Sequence, residues 1–245
     1  MQNVNLESRV QAAIAADRAR FSVLQVITEP RAAFAALAER PGYWLALGVT
    51  VALLYAGFAL QAAAYHHVSF LDDVASGRIT TPTAATQQPS FVQDLVTWTV
   101  NVVLLLVGVC LGAVAVKVVL AVWGHDTRRR AARAVTSHVA IVTLGLSAVA
   151  AGVVFQIIGA ASFQTYADLE RGTPSLLLLF PSMKEGFASA ALSAVNPFAI
   201  WSVVLYALAF RSMTSLSPGA AYLTAAGIAV GAALLRGLLG LVVGY

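Results

Sequence analysis

Two cations stand inside long apolar runs of this 245-residue chain, Lys117 and Arg236. A charge at the centre of a bilayer costs at least ~2.5 kcal/mol, so each needs either an escape to water or a use. Lys117 lies six residues before the end of its run, about 9 Å at 1.5 Å per residue. Its stem can therefore carry the ammonium to the headgroups. Arg236 lies roughly 27 Å along the last run and can reach the opposite boundary in the same way. The functional alternative for both is a lipid phosphate held between helices. Because they sit near opposite faces, they are not expected to share one ligand.

Other clusters carry less chemistry. Arg128, Arg129, Arg130 and Arg133 form the sharpest charge run. It serves as a topology determinant, and each cation near an anionic surface adds ~1 kcal/mol of attraction. Nucleic acid is not an expected partner, since no aromatic platform or basic fold accompanies the run. His66, His67, Asp72 and Asp73 superficially resemble metal ligands. Adjacent histidines diverge by about 100° on a helix, and the spacing fits no recognised site. Asp94 reads as a helix-start acid that complements the macrodipole. Asn101 is a polar group placed to bond across to a neighbouring helix. HExxH, GxSxG, Walker and GxGxxG sequences are absent, so no catalytic residue is assigned. No metal or cofactor site is expected.

The elements that must position these residues follow from composition. Hydrophobic residues make up 59% of the chain and charged residues only 11%, where soluble domains carry about a quarter charged. Mean hydropathy is +0.80. So few charges do not cover a soluble surface, and lipid is the solvent that tolerates them. The single cysteine, Cys110, reads as a small packing residue. The first forty residues contain Glu7, Arg9, Asp17, Arg18 and Arg20, which leave no continuous apolar core for a cleaved leader. The N-terminus is expected to be retained.

Five runs reach the ~20 residues that a spanning helix needs: about Tyr43 to Tyr65, Leu95 to Trp123, Thr136 to Ala161, Asn196 to Ser212 and Pro218 to Tyr245. None alternates as barrel strands would. The expected fold is an all-α, polytopic membrane bundle of five transmembrane helices. Residues 1–42 form a cytoplasmic amphipathic segment, and residues 43–245 form the membrane domain. Residues 5 to 28 place Val10, Ile14, Phe21, Leu24 and Ile27 near one face. Thr28 is read as the N-cap of a second short helix, with Pro30 in its first turn. That helix is expected to offer Phe34 and Leu37 to the inner leaflet. Residues 175–194, broken by Pro181, Lys184 and Glu185, read as interfacial or re-entrant.

Glycine pairs predict where helices meet. Gly108 with Gly112, and Gly227 with Gly231, are GxxxG patterns that allow close backbone approach within the chain or between copies. Gly237, Gly240 and Gly244 extend the small-residue face. Asn196-Pro197 supplies an N-cap and a first-turn proline for the fourth span, and Trp201 suits an aromatic belt.

Three blocks carry a family resemblance. They are Val26-Ile27-Thr28-Glu29-Pro30 with Phe34 and Pro41 to Trp44; Lys117 to Trp123 with Gly124-His125-Asp126-Thr127-Arg128; and Asn196 to Trp201 continuing to Leu216-Ser217-Pro218-Gly219-Ala220-Ala221. In this order, over roughly residues 21 to 240, the chain resembles the prokaryotic branch of the Yip1 domain family. It departs at Gly124-His125, where many relatives have a double glycine, and at Ser137-His138, where many have a proline. The resemblance implies five spans and supplies no reaction.

Function is expected to be non-enzymatic, through contacts with membrane lipids, anionic ones included, or with a second copy or another membrane protein. The alternatives are a small transporter or lipid-translocating permease, and then an intramembrane enzyme. The expected location is a bacterial inner membrane. Ten basic residues (Arg9, Arg18, Arg20, Arg31, Arg40, Arg128, Arg129, Arg130, Arg133 and Arg211) fall on one side of the five runs. Arg78, Arg171 and Lys184 fall on the other. That bias places the N-terminus inside, and an odd count places the C-terminus outside. Reporter fusions at the two ends should report opposite sides; both ends on one side would refute the odd count.

Overall fold

A computed structural model describes residues 25–79, 90–180, 182–183 and 186–243. The amphipathic pattern read from Val10 to Leu24 lies outside these residues, as do Pro181, Lys184, Glu185 and Gly244. All regular structure among the described residues is helical. In chain order the helices are α1 (Pro30–Glu39), α2 (Trp44–Ala75), α3 (Phe91–Val122), α4 (Arg129–Ala140), α5 (Ser147–Ile158), α6 (Tyr166–Gly172), α7 (Phe187–Ser193), α8 (Pro197–Met213) and α9 (Pro218–Val243). A π-helical stretch, Ile141–Leu146, joins α4 to α5, making one apolar unit from Arg129 to Ile158.

Among the described residues, four helices are long and apolar enough to cross a membrane. A fifth crossing counts if α7 and α8, which meet at 64°, form one broken span. The chain is thus a helical membrane bundle: four of the five apolar runs give helical units of spanning length, whereas the run from Asn196 to Ser212 gives α8, which has 17 residues and reaches that length only together with α7. Both α2 and α3 have 32 residues, or ~48 Å, and exceed a hydrocarbon core of ~30 Å. They project beyond it or tilt. Gly124, at φ +80, stops α3. Its N–H donates to the Ala121 carbonyl, and the His125 N–H reaches back to Leu120 O, each at 2.9 Å. The last carbonyls of the helix are satisfied in this way. At α8 the Asn196 side chain accepts from the Ala199 N–H at 2.8 Å, with Pro197 at the first helical position.

The closest helix contact is between α2 and α5. A Cβ placed on Gly57 would lie 2.7 Å from the Ala148 backbone, and one on Gly152 would lie 2.5 Å from Leu60 Cβ. Gly145, in the π-helical stretch, lies against Leu53 in the same seam. Two amides cross it: Gln61 Nε2 donates to Ala148 O at 2.9 Å, and Gln156 Nε2 donates to Leu60 O at 2.5 Å. Helix α3 is tied to α2 more lightly, through Tyr55–Thr99 (2.8 Å) and His66–Asp94 (3.0 Å), and instead packs Val116 and Leu120 against Ala132 of α4, Phe210 of α8 and Ala221 of α9. Asp94 does lie in the first turn of α3, and it also ties α3 to α2.

Three expectations are corrected here. First, Phe34 and Leu37 do not face a leaflet. They are buried with Val26 and Ala33 against Ala134, Val135, Val139, Val142, Leu205 and Ala209. Alanines on α4 and α8 leave room that the apolar stripe of α1 fills. Second, Glu29, not Thr28, is the N-cap of α1, and Pro30 still opens the helix. Third, Gly108, Gly227 and Gly231 make no close helix contact among the described residues: a Cβ on any of them would meet none of their atoms within 4 Å. Gly112 approaches only the Thr136 methyl, at 3.2 Å. The GxxxG faces point outward because α3 and α9 lie at the edge of the bundle, where α3 is largely exposed. Asn101 is exposed as well and makes no bond across to a neighbour among the described residues.

Overpacking a tight contact costs about 1–3 kcal/mol. Gly57→Leu should therefore lower the unfolding midpoint in detergent, whereas Gly231→Leu should leave the monomer's midpoint unchanged. Equal losses for the two variants would contradict this packing.

Candidate functional site

Polar side chains gather at the two ends of the bundle. One end, the arginine end, holds the start of α2, the end of α3, the start of α4, the end of α8 and the start of α9. The far end holds the opposite termini together with α6 and α7.

At the arginine end, the turn after Gly124 brings Lys117 and the arginine run together. Lys117 Nζ lies 3.9 Å from Asp126 Oδ1. The carboxylate is almost fully exposed, so the pair contributes little stability. Arg128 precedes α4, and Arg129, Arg130 and Arg133 are exposed on its first turns, while Ala131, Ala132, Ala134 and Val135 are buried. At 100° per residue, positions 129, 130 and 133 fall within one third of the helix circumference. The first turn of α4 has no acidic residue. Four guanidinium groups therefore crowd the positive end of a helix dipole, which favours anions instead. The Thr127 hydroxyl beside them is buried and has no hydrogen-bond partner among the described residues.

Arg236 lies at the far end, away from this cluster. Its side chain is about half exposed there, and its guanidinium also meets two protein groups. Its Nε donates to Ser193 Oγ at 3.1 Å, and an NH2 lies 3.7 Å from Glu170 Oε1. Ser193 comes from α7, which packs along α9 so tightly that Phe187 sits where a Cβ on Gly237 would fall. Leu176 N–H donates to Val195 O at 2.8 Å, closing the base of the 175–194 segment. Glu170 comes from α6, which has only seven residues and relies on its cap. Thr165 accepts from the Asp168 N–H, and the Asp168 carboxylate accepts from the Gln164 and Thr165 N–H groups at 3.0 Å. Burial pushes the Asp168 pKa up, but these bonds and the nearby Arg171 charge outweigh it and hold the carboxyl below its ordinary value. The cap therefore stays ionised, and α6 stays formed, at neutral pH.

Tyr65, Tyr166, Leu169, Glu170, Thr173, Ser193 and Arg236 line a cavity of about 370 Å³ between α2, α6, α7 and α9. Leu169 also joins Phe155, Phe163, Ala64 and Val68 in an apolar cluster. Tyr65 stands ~31 Å along α2 from Trp44, and Arg236 stands ~27 Å along α9 from Pro218. The sequence reading found Arg236 but missed Glu170, Ser193 and both tyrosines. The signal available was the Thr165-x-x-Asp168 cap, which marks a helix start four residues before Glu170. A lone arginine in an apolar run also calls for a carboxylate somewhere.

The four-residue group from His66 to Asp73 separates. His66 pairs with Asp94, whereas Asp72 and Asp73 each bind Arg78 at 2.6 Å. Among the described residues no group of three or more His, Cys, Asp or Glu side chains is arranged to hold a metal. Trp44 and Trp123 are exposed at the arginine end and Trp201 at the start of α8, positions that suit interfacial aromatic belts. No protein-family model, no curated protein and no solved structure matches this chain.

Proposed function

We propose that this chain is a multi-pass protein of the Yip1-like type that acts without catalysis. Its inner-membrane arginine end engages anionic lipid headgroups. The observation that carries this reading is the exposed face of Arg129, Arg130 and Arg133 at the positive end of α4, with no acid in the first turn to offset it. Charge placed against a helix dipole is relieved by an anion. Headgroup phosphates are the anions that a membrane helix start meets in quantity. Each basic residue at such a surface is attracted by about 1 kcal/mol.

The orientation adopted is the one that the charge bias favours, with the arginine end in the bacterial cytoplasm. Exposed Gly108, Gly227 and Gly231 leave smooth helix faces for a second copy or another membrane protein. A transporter would place broken helices around polar groups near the midplane. The break between α7 and α8 instead lies beside Ser193 and Arg236, at the far end.

Native mass spectrometry from mild detergent tests the reading, with subunit number read from the same spectra. Wild-type protein should retain phosphatidylglycerol in preference to phosphatidylcholine. The combined Arg129→Gln, Arg130→Gln and Arg133→Gln variant should lose about ten-fold or more of that preference. An unchanged preference in the triple variant would overturn the proposal.

A further inference from the structure

The lining of the far-end cavity carries both signs of charge side by side. Arg236 and Glu170 face it together with the Ser193 and Thr173 hydroxyls and two tyrosines. An isolated anion there would be drawn to the guanidinium and repelled by the carboxylate a few ångströms away. An isolated cation would meet the reverse. A ligand with both charges close together satisfies both groups. The Arg236–Glu170 separation of 3.7 Å is longer than a hydrogen bond, so the pair has not closed on itself as a two-bond fork. The Arg236 side chain remains about half exposed, and that of Glu170 is a quarter exposed.

Depth adds a second argument. Tyr65 and Arg236 stand ~31 and ~27 Å from the helix starts at the arginine end, close to the ~30 Å thickness of a hydrocarbon core. At that depth the cavity stands at headgroup level, and its lining residue Leu169 belongs to an apolar cluster with Phe155 and Phe163. Glu170 itself is fixed from below by the capped α6 helix, and Arg236 is fixed by its Nε bond to Ser193. Both charges are therefore placed before any ligand arrives, which reduces the ordering cost of binding.

We propose that this cavity binds a phosphate–ammonium zwitterion, the headgroup chemistry of an aminophospholipid. Arg236 takes the phosphate and Glu170 takes the primary ammonium, which donates hydrogen bonds to the carboxylate. The proposal does not depend on anionic lipid at the arginine end, because the two sites share no residue.

The test is native mass spectrometry of full-length protein exchanged into one lipid at a time: phosphatidylethanolamine, phosphatidylcholine or phosphatidylglycerol. A fourth arm adds water-soluble glycerophosphoethanolamine. To remove the arginine-end contribution, all arms use the Arg129→Gln, Arg130→Gln, Arg133→Gln background. Phosphatidylethanolamine should be retained about ten-fold better than either other lipid. Glu170→Gln should abolish that preference while keeping some lipid bound. Arg236→Gln should lose binding, and Arg236→Lys should restore part of it, which separates lost recognition from lost folding. Competition by glycerophosphoethanolamine at concentrations comparable to the lipid would identify a soluble zwitterion as the source, and its failure to compete would identify the membrane lipid. Equal retention of all three lipids would overturn the proposal, as would a preference that survives Glu170→Gln.

Discussion

Lipid tails are as apolar as leucine, so nothing like the exclusion of apolar groups from water pushes one membrane helix onto another. Association must come from contact itself, and in this chain the contact is the seam between α2 and α5. Gly57 and Gly152 remove side chains where the two backbones meet. The Gln61 and Gln156 amides then reach carbonyls of the opposite helix, one in each direction. Dispersion between close backbones and hydrogen bonds in a low-dielectric setting are both strongest at such short range. A side chain at Gly57 would weaken both at once, because it would separate the atoms that each depends on.

The rest of the bundle is arranged around this seam. The unit from Arg129 to Ile158 carries α5 at one end and α4 at the other, so fixing α5 on α2 also fixes where α4 begins. Helix α4 then offers its alanine face to α8 and α1, with Phe34 and Leu205 filling the space between. Its opposite face is left to the arginines. At the far end the same seam delivers Tyr65 and Phe155 to the region where α6 and α7 close over α9. The two polar ends are thus both placed by the α2–α5 seam. Their chemistry differs because α4 has no acid in its first turn, whereas α6 brings Glu170 to Arg236.

The five apolar runs were legible because length and hydropathy alone define them, and the Asn196-Pro197 helix start was legible because its chemistry is local. Partnerships between helices were not. Gly57 stands without a glycine four residues away, so no GxxxG pattern marks it. Gly108 with Gly112 and Gly227 with Gly231 have the pattern, yet these faces mostly look outward. Spacing shows that a backbone is accessible, not which neighbour uses it. The apolar stripe of α1 posed a similar ambiguity, since Phe34 and Leu37 suit a leaflet and an alanine-lined groove equally. Arg236 was found as a charge in the wrong solvent. Its partners come from α6 and α7, helices of seven residues each, too short to announce themselves by periodicity.

The most direct measurement is disulfide trapping in native membranes. With Cys110→Ser as background, Gly57→Cys and Ala148→Cys would place two Cβ atoms at 2.7 Å before relaxation. Disulfides form at Cβ separations of about 3.5–4.5 Å, so a shift of roughly one ångström would suffice. The account predicts rapid intramolecular cross-linking of the doubly substituted protein, and little when Gly231→Cys replaces Gly57→Cys. Comparable cross-linking in the two pairs, or none at Gly57 and Ala148 in protein that still inserts and remains monodisperse, would contradict it.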